Sequence, residues 1–346
     1  MSRLLIILLS LALPNVVIGA AEPDPLFQSA ELLDITLTAP FDSIDDDRDK
    51  EQQYGGTLSY TDAAGQQVVL DVELSVRGNW RLDRRNCRYS QLWVNLKRGQ
   101  LPGTLFENQN RLKLVVQCNR PNRYSDYIIK ELKAYQLFSE ISDINFDTRL
   151  VNVTYADSER PDDSRTQLAF FIEHQNRLAE RFEFGDVDLY EVPRDELHPL
   201  QSTVMALFMY MIGNTDFSMI RGPGGEECCH NAKMLVNDTG EYLLIPYDFD
   251  ASGFVEATYA PEPDPRFNLR DSRARLYRGF CVPAEVLDRA IGLFQESREQ
   301  MMAILSDTTY QTQRSTNRAS GYVDDFFEIL DNPRRVRGEF VRGCRG

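Results

Sequence analysis

Histidine is scarce in this chain: His174, His198 and His230 are the only three. They lie far apart in sequence, which argues against a histidine-based zinc centre. No C-x-x-C pair occurs, so the usual spacing of a structural zinc site is missing. The G-x-S-x-G elbow of serine hydrolases is absent. A cysteine nucleophile, Cys87 or Cys281, would need a free thiol. The N-terminal half has no G-x-G-x-x-G phosphate loop, for which Gly55-Gly56 is a weak substitute. After the first 21 residues no stretch is long and apolar enough to cross a bilayer. Basic residues are outnumbered, 38 Lys and Arg against 53 Asp and Glu, for a net charge of −15. Nucleic acid and anionic membrane both demand basic surface, so neither is an expected partner. Low-complexity tracts, internal repeats and flexible linkers are also lacking.

The N-terminus carries a clear address. Arg3 supplies a positive start, Leu4 to Leu13 is almost wholly apolar, Pro14 ends the run, and Gly19, Ala20 and Ala21 offer a small-residue cleavage site. That is the anatomy of a secretory signal peptide over residues 1–20, too short to anchor in a bilayer. No integral membrane segment is expected once it is cleaved, and the mature chain is expected in the periplasm or outside the cell. Six cysteines, Cys87, Cys118, Cys228, Cys229, Cys281 and Cys344, are an even set in an exported chain and read as disulfides. Cys87 and Cys118 both lie beside strands of the N-terminal sheet and are expected to be close, although Cys118 could instead reach Cys228 or Cys229. Those two, being adjacent, are expected to pair with different partners.

From Glu31 to Lys113 the chain reads as strands. Leu70, Val72, Leu74 and Val76 alternate with Asp71, Glu73, Ser75 and Arg77, the period-two pattern of a half-buried strand. Leu92, Val94 and Leu96 alternate again, as do Leu112, Leu114 and Val116; the charged stretch Asp42–Gln53 reads as a loop. Ile128, Leu132, Tyr135 and Phe138 recur at helical spacing, predicting a helix over Ser125–Ile141. Strands follow at Leu150–Tyr155 and Gln167–Ile172, divided by a polar turn. Beyond Glu173 the pattern is mainly helical (Thr203–Ile212, Glu285–Leu305, Tyr322–Leu330), with one hairpin of Lys233–Val236 and Tyr242–Ile245. Strands first and helices later is an α+β order. It divides the chain into a β-rich unit, 21–175, and a mainly helical one, 176–346.

The chemistry concentrates between Met211 and Gly253. Gly213-Asn214-Thr215-Asp216 follows an apolar helix, Asn231 precedes the first hairpin strand, and Pro246-Tyr247-Asp248-Phe249-Asp250 ends the second. Oxygen ligands at such element ends suit Mg²⁺ or Mn²⁺, and phosphoryl transfer needs these groups: one carboxylate to orient a hydroxyl, an amide and another carboxylate for metals. Caps and turns also use Asp and Asn after helices.

G-N-T-D, the later H-N before a strand, and I-P-Y-D-F-D are similar to the motifs of the spore-coat CotH-like atypical kinases. Arg77-Gly78-Asn79 resembles that family's N-lobe R-G-N, and Phe171-Ile172-Glu173 falls where its members run into the interlobe hinge. The resemblance implies a protein-kinase-like two-lobed fold, with a β-rich N-lobe carrying one helix and a mainly helical C-lobe. It implies Asp216 as catalytic aspartate, Asn231 and Asp248 as metal ligands with Asp250 in support, and ATP with Mg²⁺ or Mn²⁺ as cofactors. Lys113 and Glu131 would hold and orient the phosphates, with Lys97 and Lys130 as alternative lysines and Glu173 at the nucleotide. The activity implied is transfer of phosphate to an exported protein. The chain departs from the family pattern in the Gly-rich insertion Phe217–His230 and in the missing glycine loop, and ATP is scarce outside the cytoplasm. Two rivals therefore stand beside it, a non-catalytic, pseudokinase-like binding or scaffold protein of the envelope and a metal-dependent hydrolase. Arg266, Arg270, Arg273, Arg275 and Arg278 read as a solvated charge run, with an acidic or phosphorylated substrate as the alternative.

Overall fold

The computed structural model describes residues 21–187 and 189–346; the expected signal peptide, 1–20, lies outside them. Seven strands dominate the first half: β1 (Leu33–Ala39), β2 (Tyr54–Thr61), β3 (Gln67–Arg77), β4 (Gln91–Leu96), β5 (Arg111–Val115), β6 (Thr148–Asp157) and β7 (Ser164–Ile172). Consecutive strands from β1 to β5 pair antiparallel. The β2–β3 hairpin turns at Asp62, whose Oδ1 accepts from Ala64 and Gln66 N–H, with Gly65 at φ 77°. On its other side β1 runs parallel to β6, from Leu33 opposite Val151 to Ala39 opposite Asp157. That pairing closes the sheet into a barrel of order β1-β2-β3-β4-β5-β7-β6.

Alternation fills this barrel. Leu37, Leu58, Leu74, Val94, Leu112, Leu114, Val153 and Phe171 point inward and are fully buried, each contributing about 1.5–3 kcal/mol. The wall made by β5, β6 and β7 is apolar on both faces. Val115, Leu150, Phe170 and Ile172 point outward, where they pack beneath α2 (Arg123–Ser139). Tyr135 of α2 stands edge-on to Phe170 at 5.9 Å and against Phe249 at 4.5 Å, so α2 links the barrel to the rest of the chain.

After β7 come the short helix α3 (Gln175–Arg181) and the edge strand β8 (Gly185–Asp186), then α4 (Pro199–Met211), which is buried almost all round. β8 pairs with β9 (Ala232–Val236), which forms a hairpin with β10 (Tyr242–Pro246). Helices α5 (Ala284–Glu296), α6 (Arg298–Ser306), α7 (Gln313–Leu330) and α8 (Pro333–Val336) close the chain. The single helix expected over Glu285–Leu305 is broken at Ser297, whose hydroxyl donates to the Glu140 carbonyl beyond α2 at 2.5 Å. The expected loop at Asp42–Gln53 instead begins within a two-turn helix, α1 (Phe41–Asp47), with Phe41 and Ile44 buried. No helix among the described residues is long and apolar enough to cross a membrane.

These findings correct the expected fold. The α+β, protein-kinase-like two-lobed arrangement, a β-rich N-lobe with one helix and a mainly helical C-lobe, is replaced by a closed seven-stranded mixed barrel. The physical reason is β1, which satisfies its backbone groups on both edges and so leaves the sheet no free end.

All six cysteines are paired. Cys87 and Cys118 are joined as expected, with Cα atoms 4.7 Å apart, and Cys281 is joined to Cys344 at 5.0 Å. Cys228 and Cys229, expected to seek separate partners, are bonded to each other. Disulfides on this scale belong to an oxidising compartment, extracellular or periplasmic.

Candidate active site

Four chain segments converge where the barrel meets the β9–β10 hairpin. The first follows α4. Gly213 turns the chain at φ 63°, and a Cβ there would collide with the Tyr322 hydroxyl, so only glycine fits. The next residue, Asn214, is fully buried. Its amide donates to the Asp248 carbonyl at 3.4 Å, and its Oδ1 accepts the Asp216 N–H at 2.9 Å. One buried amide thus fixes both acidic loops. Arg278 braces the same loop by donating to the Thr215 and Phe217 carbonyls.

Asp216 is the open acid of the site, its side chain 48% exposed. His230 Nε2 lies 2.9 Å from Oδ1, and Asn231 donates to Oδ2 at 3.2 Å. The hydrogen bond to Asp216 raises the His230 pKa against the opposing effect of burial. Asn231 and Asp248 bracket the hairpin, and both adopt left-handed backbone, φ 47° and 62°, a conformation that Asn and Asp tolerate best after glycine. The Asp248 N–H is held by the Tyr135 hydroxyl at 3.1 Å, and the Tyr247 N–H by the Asn231 carbonyl at 3.0 Å.

Lys113 arrives from β5. Its neighbours Leu112 and Leu114 point into the barrel, so the lysine must point out, toward the hairpin. It is 2% exposed; Nζ lies 3.4 Å from Asp248 Oδ2 and 3.9 Å above the Tyr247 ring. Arg77, at the end of β3, adds a second cation 3.6 Å from the same oxygen. Burial alone would raise Asp248, yet Lys113, Arg77 and Arg81 outweigh it and hold the carboxyl well below its ordinary range. Burial and the Arg77 charge push Lys113 down to about 8, against the pull of Asp248. At neutral pH the pair is an ion pair.

The lysine–glutamate partnership expected of Lys113 and Glu131 is not formed. Glu131, 1% exposed on α2, is paired instead with Arg81 at 3.5 Å. Arg81 projects from a one-turn helix, Trp80–Leu82, and also grips Asp250 through Nε at 2.6 Å and through Nη2. Its guanidinium lies 4.7 Å over the Tyr259 ring. Burial pushes Glu131 up to about 7 against the field of Arg81, and it raises Asp250 as well. Arg81 is the residue that sequence reasoning missed; its only signal was its place four residues after Arg77, in the polar segment that follows β3.

Arg77, Arg81, Asp216, His230, Asn231, Asp248 and Asp250 line one cavity of about 250 Å³. A second cavity of about 360 Å³ adjoins it through Asp216, His230, Ala251 and Pro261, and is closed by Arg266, Phe267 and Arg278. Glu173 stands apart. It is buried in an ion pair with Arg181 at 2.9 Å and accepts the Asp147 N–H, and burial pushes it up to about 7. The alternative lysines also lie elsewhere, Lys130 paired with Asp126 at 3.3 Å and Lys97 exposed. The arginine run is only half solvated: Arg273 and Arg275 stack on Tyr322 at 4.9 and 4.0 Å, and Arg278 braces the Asp216 loop.

No group of three His, Cys, Asp or Glu side chains among the described residues forms a ready-made metal cage. The donor set still fits Mg²⁺ or Mn²⁺. Asp248 is held ionised with 29% of its side chain exposed, and Asn231 uses its Nδ2 on Asp216, leaving Oδ1 as an oxygen donor. Mg²⁺ is commonly bound by one or two such groups plus substrate oxygens. Asp250 fits less well, because a metal would have to draw it from Arg81. No protein-family model, no curated protein and no solved structure matches this chain.

Proposed function

We propose that this cluster is the centre of a nucleotide-dependent phosphoryl transferase acting on a hydroxyl or carboxylate of an exported protein. The observation that carries the reading is the convergence of Asp216, Asn231 and Asp248 on one cavity, backed by buried Lys113 and joined by Arg77 and Arg81. Asp216 is the acid left open at the junction of two cavities, so it is the group that can accept a proton from an incoming hydroxyl. His230 and Asn231 fix the orientation of its two oxygens. Arg77, Arg81 and Lys113 supply positive charge to a transferring phosphate. A divalent ion on Asp248 and Asn231 would neutralise further phosphate charge.

The test is calorimetry with Mg²⁺–ATP and Mn²⁺–ATP, followed by labelled-phosphate transfer. Asp216→Asn is expected to bind nucleotide within about twofold of the parent and to lose transfer by at least roughly a hundredfold. Asp248→Asn is expected to lose metal-dependent binding. No binding of either nucleotide complex to the parent protein overturns the proposal. Binding without transfer would favour a non-catalytic envelope module, a second reading supported by the existing neutralisation of Asp248 and Asp250 by arginine and lysine.

A further inference from the structure

The second cavity, about 360 Å³, is lined by Asp216 and also by Phe217, Phe267 and Arg278. Bracing the Asp216 loop uses only part of Arg278. Its Nη1 donates to the Thr215 and Phe217 carbonyls, which occupies both protons of that nitrogen. Its guanidinium lies over the Phe217 and Phe267 rings at 4.9 and 4.7 Å. Nε and Nη2 make no hydrogen bond among the described residues, and neither is one of the polar atoms buried without a partner. That edge of the guanidinium is therefore open. It is the edge with which arginine grips a carboxylate or phosphate through two parallel hydrogen bonds.

Charge at this wall is unbalanced. No carboxylate among the described residues lies within salt-bridge distance of Arg278. Of the acids on the same cavity, Asp264 is gripped by Arg266 Nε at 2.9 and 3.0 Å and accepts the Arg266 N–H. Asp216 is held by His230 and Asn231, and Glu262 is exposed. Burial and the nearby charge of Arg345 lower the Arg278 pKa to about 10, so it remains a cation at neutral pH. Withdrawing a cation from water without an opposite charge is costly, and the two carbonyls neutralise none of that charge.

We propose that Arg278 selects the acceptor of the Asp216 site by binding an anionic side chain, carboxylate or phosphate, next to the hydroxyl that Asp216 receives. The inference rests on the transferase reading for the hydroxyl and adds the class of substrate, a segment of an exported protein with an acidic or already phosphorylated residue beside the acceptor. One cavity carries both Asp216 and Arg278, so neighbouring residues of a single peptide can meet them together. The chain's net charge of −15 repels such a segment, so a preference for it has to arise locally.

Blocked tripeptides test the assignment: acetyl-Glu-Ser-Glu-amide, acetyl-Gln-Ser-Gln-amide, and the form with phosphoserine on both sides of the serine. Their binding to the mature chain is measured by calorimetry without nucleotide, and their KM for transfer with Mg²⁺–ATP. The Glu peptide is expected to bind about tenfold more tightly than the Gln peptide, and Arg278→Gln to bring the two within about twofold. A purely structural role for Arg278 would weaken both peptides in proportion and leave their ratio intact, which would overturn the proposal. If Arg278→Gln does not fold, Arg278→Lys keeps the charge and a donor for the carbonyls but not the fork, and is expected to lower the ratio to roughly threefold. Tighter binding of the phosphoserine peptide than of the Glu peptide would assign the anion to a prior phosphorylation, and the reverse order to a carboxylate. Equal binding of the Glu and Gln peptides to the parent protein would overturn the inference. Failure of Mg²⁺–ATP to bind would instead remove the transferase reading, and the comparison of tripeptides would still decide the role of Arg278.

Discussion

Arg81 sets the charge balance of the candidate site. Among the described residues it is the cation within salt-bridge distance of both Glu131 and Asp250, and all three side chains are largely withdrawn from water. Removing one member of such a set leaves uncompensated buried charge, a change worth about 3–5 kcal/mol. Arg81→Met is therefore expected to destabilise the protein by that amount in urea denaturation, and adding Asp250→Asn should restore part of it. The same chemistry predicts a pH dependence. Burial holds Glu131 up at about 7 in the folded state, above its unfolded value of about 4.5. A carboxyl raised in this way binds its proton more tightly when folded. Its contribution is fully present below about pH 4.5 and is lost as pH rises through about 7. Denaturation midpoints of the parent and Glu131→Gln should thus converge near pH 4.5 and separate in favour of Glu131→Gln toward pH 8. A constant difference across that range would remove Glu131 from the account.

Among the elements, the segment between β3 and β4 does most to assemble the site, since it carries Trp80 and Arg81 across to Tyr259 and Asp250. The Cys87–Cys118 disulfide ties the end of that segment to the chain beyond β5. Closing a loop of 31 residues is worth about 3–4 kcal/mol in the chain-entropy estimate, and the 63-residue Cys281–Cys344 loop about 4. The paired Ser variants should lose comparable stability on thermal denaturation, but only Cys87→Ser/Cys118→Ser should also weaken ligand binding at Asp248, because only that bridge anchors Arg81. Equal effects on binding would deny the segment its positioning role. Much at this scale was legible in the sequence. Alternation in Leu70–Val76 and helical spacing in Ile128–Phe138 marked β3 and α2, because both elements bury one face and the burial writes the period into the chain. The convergence of Asp216, Asn231 and Asp248 followed from acids placed at element ends. Partner choice was not legible: Lys113 meets Asp248 and not Glu131 because Arg81, from a loop without any period, occupies the glutamate. Glu173 lay one residue past a correctly read strand, but its side chain turns to Arg181 of the next helix.

For the molecule as a whole, barrel closure was the feature hidden from the sequence. β1 and β6 pair across more than a hundred residues, and parallel pairing leaves no hairpin signature to read. Its consequence is a wall with two apolar faces. Phe171 points into the barrel against Phe106 at 5.9 Å, while its neighbour Phe170 points out against Tyr135 of α2 at the same distance. Both are fully buried, so Phe→Ala at either should cost about 3–5 kcal/mol. Because one strand carries both contacts, loss of the barrel face must strain the helical face, and the chain should unfold as one cooperative unit. Trp80 and Trp93, the only tryptophans, report the barrel end of the molecule by fluorescence, whereas far-ultraviolet circular dichroism is dominated by helices that lie mostly in the second half. Phe170→Ala and Phe171→Ala are each expected to shift both signals together and by the same denaturant concentration. If Phe171→Ala moved the fluorescence transition alone, the barrel would be an independent unit, and the ion pairs of Lys113 and Arg81 with the hairpin would be contacts between two separately folding parts.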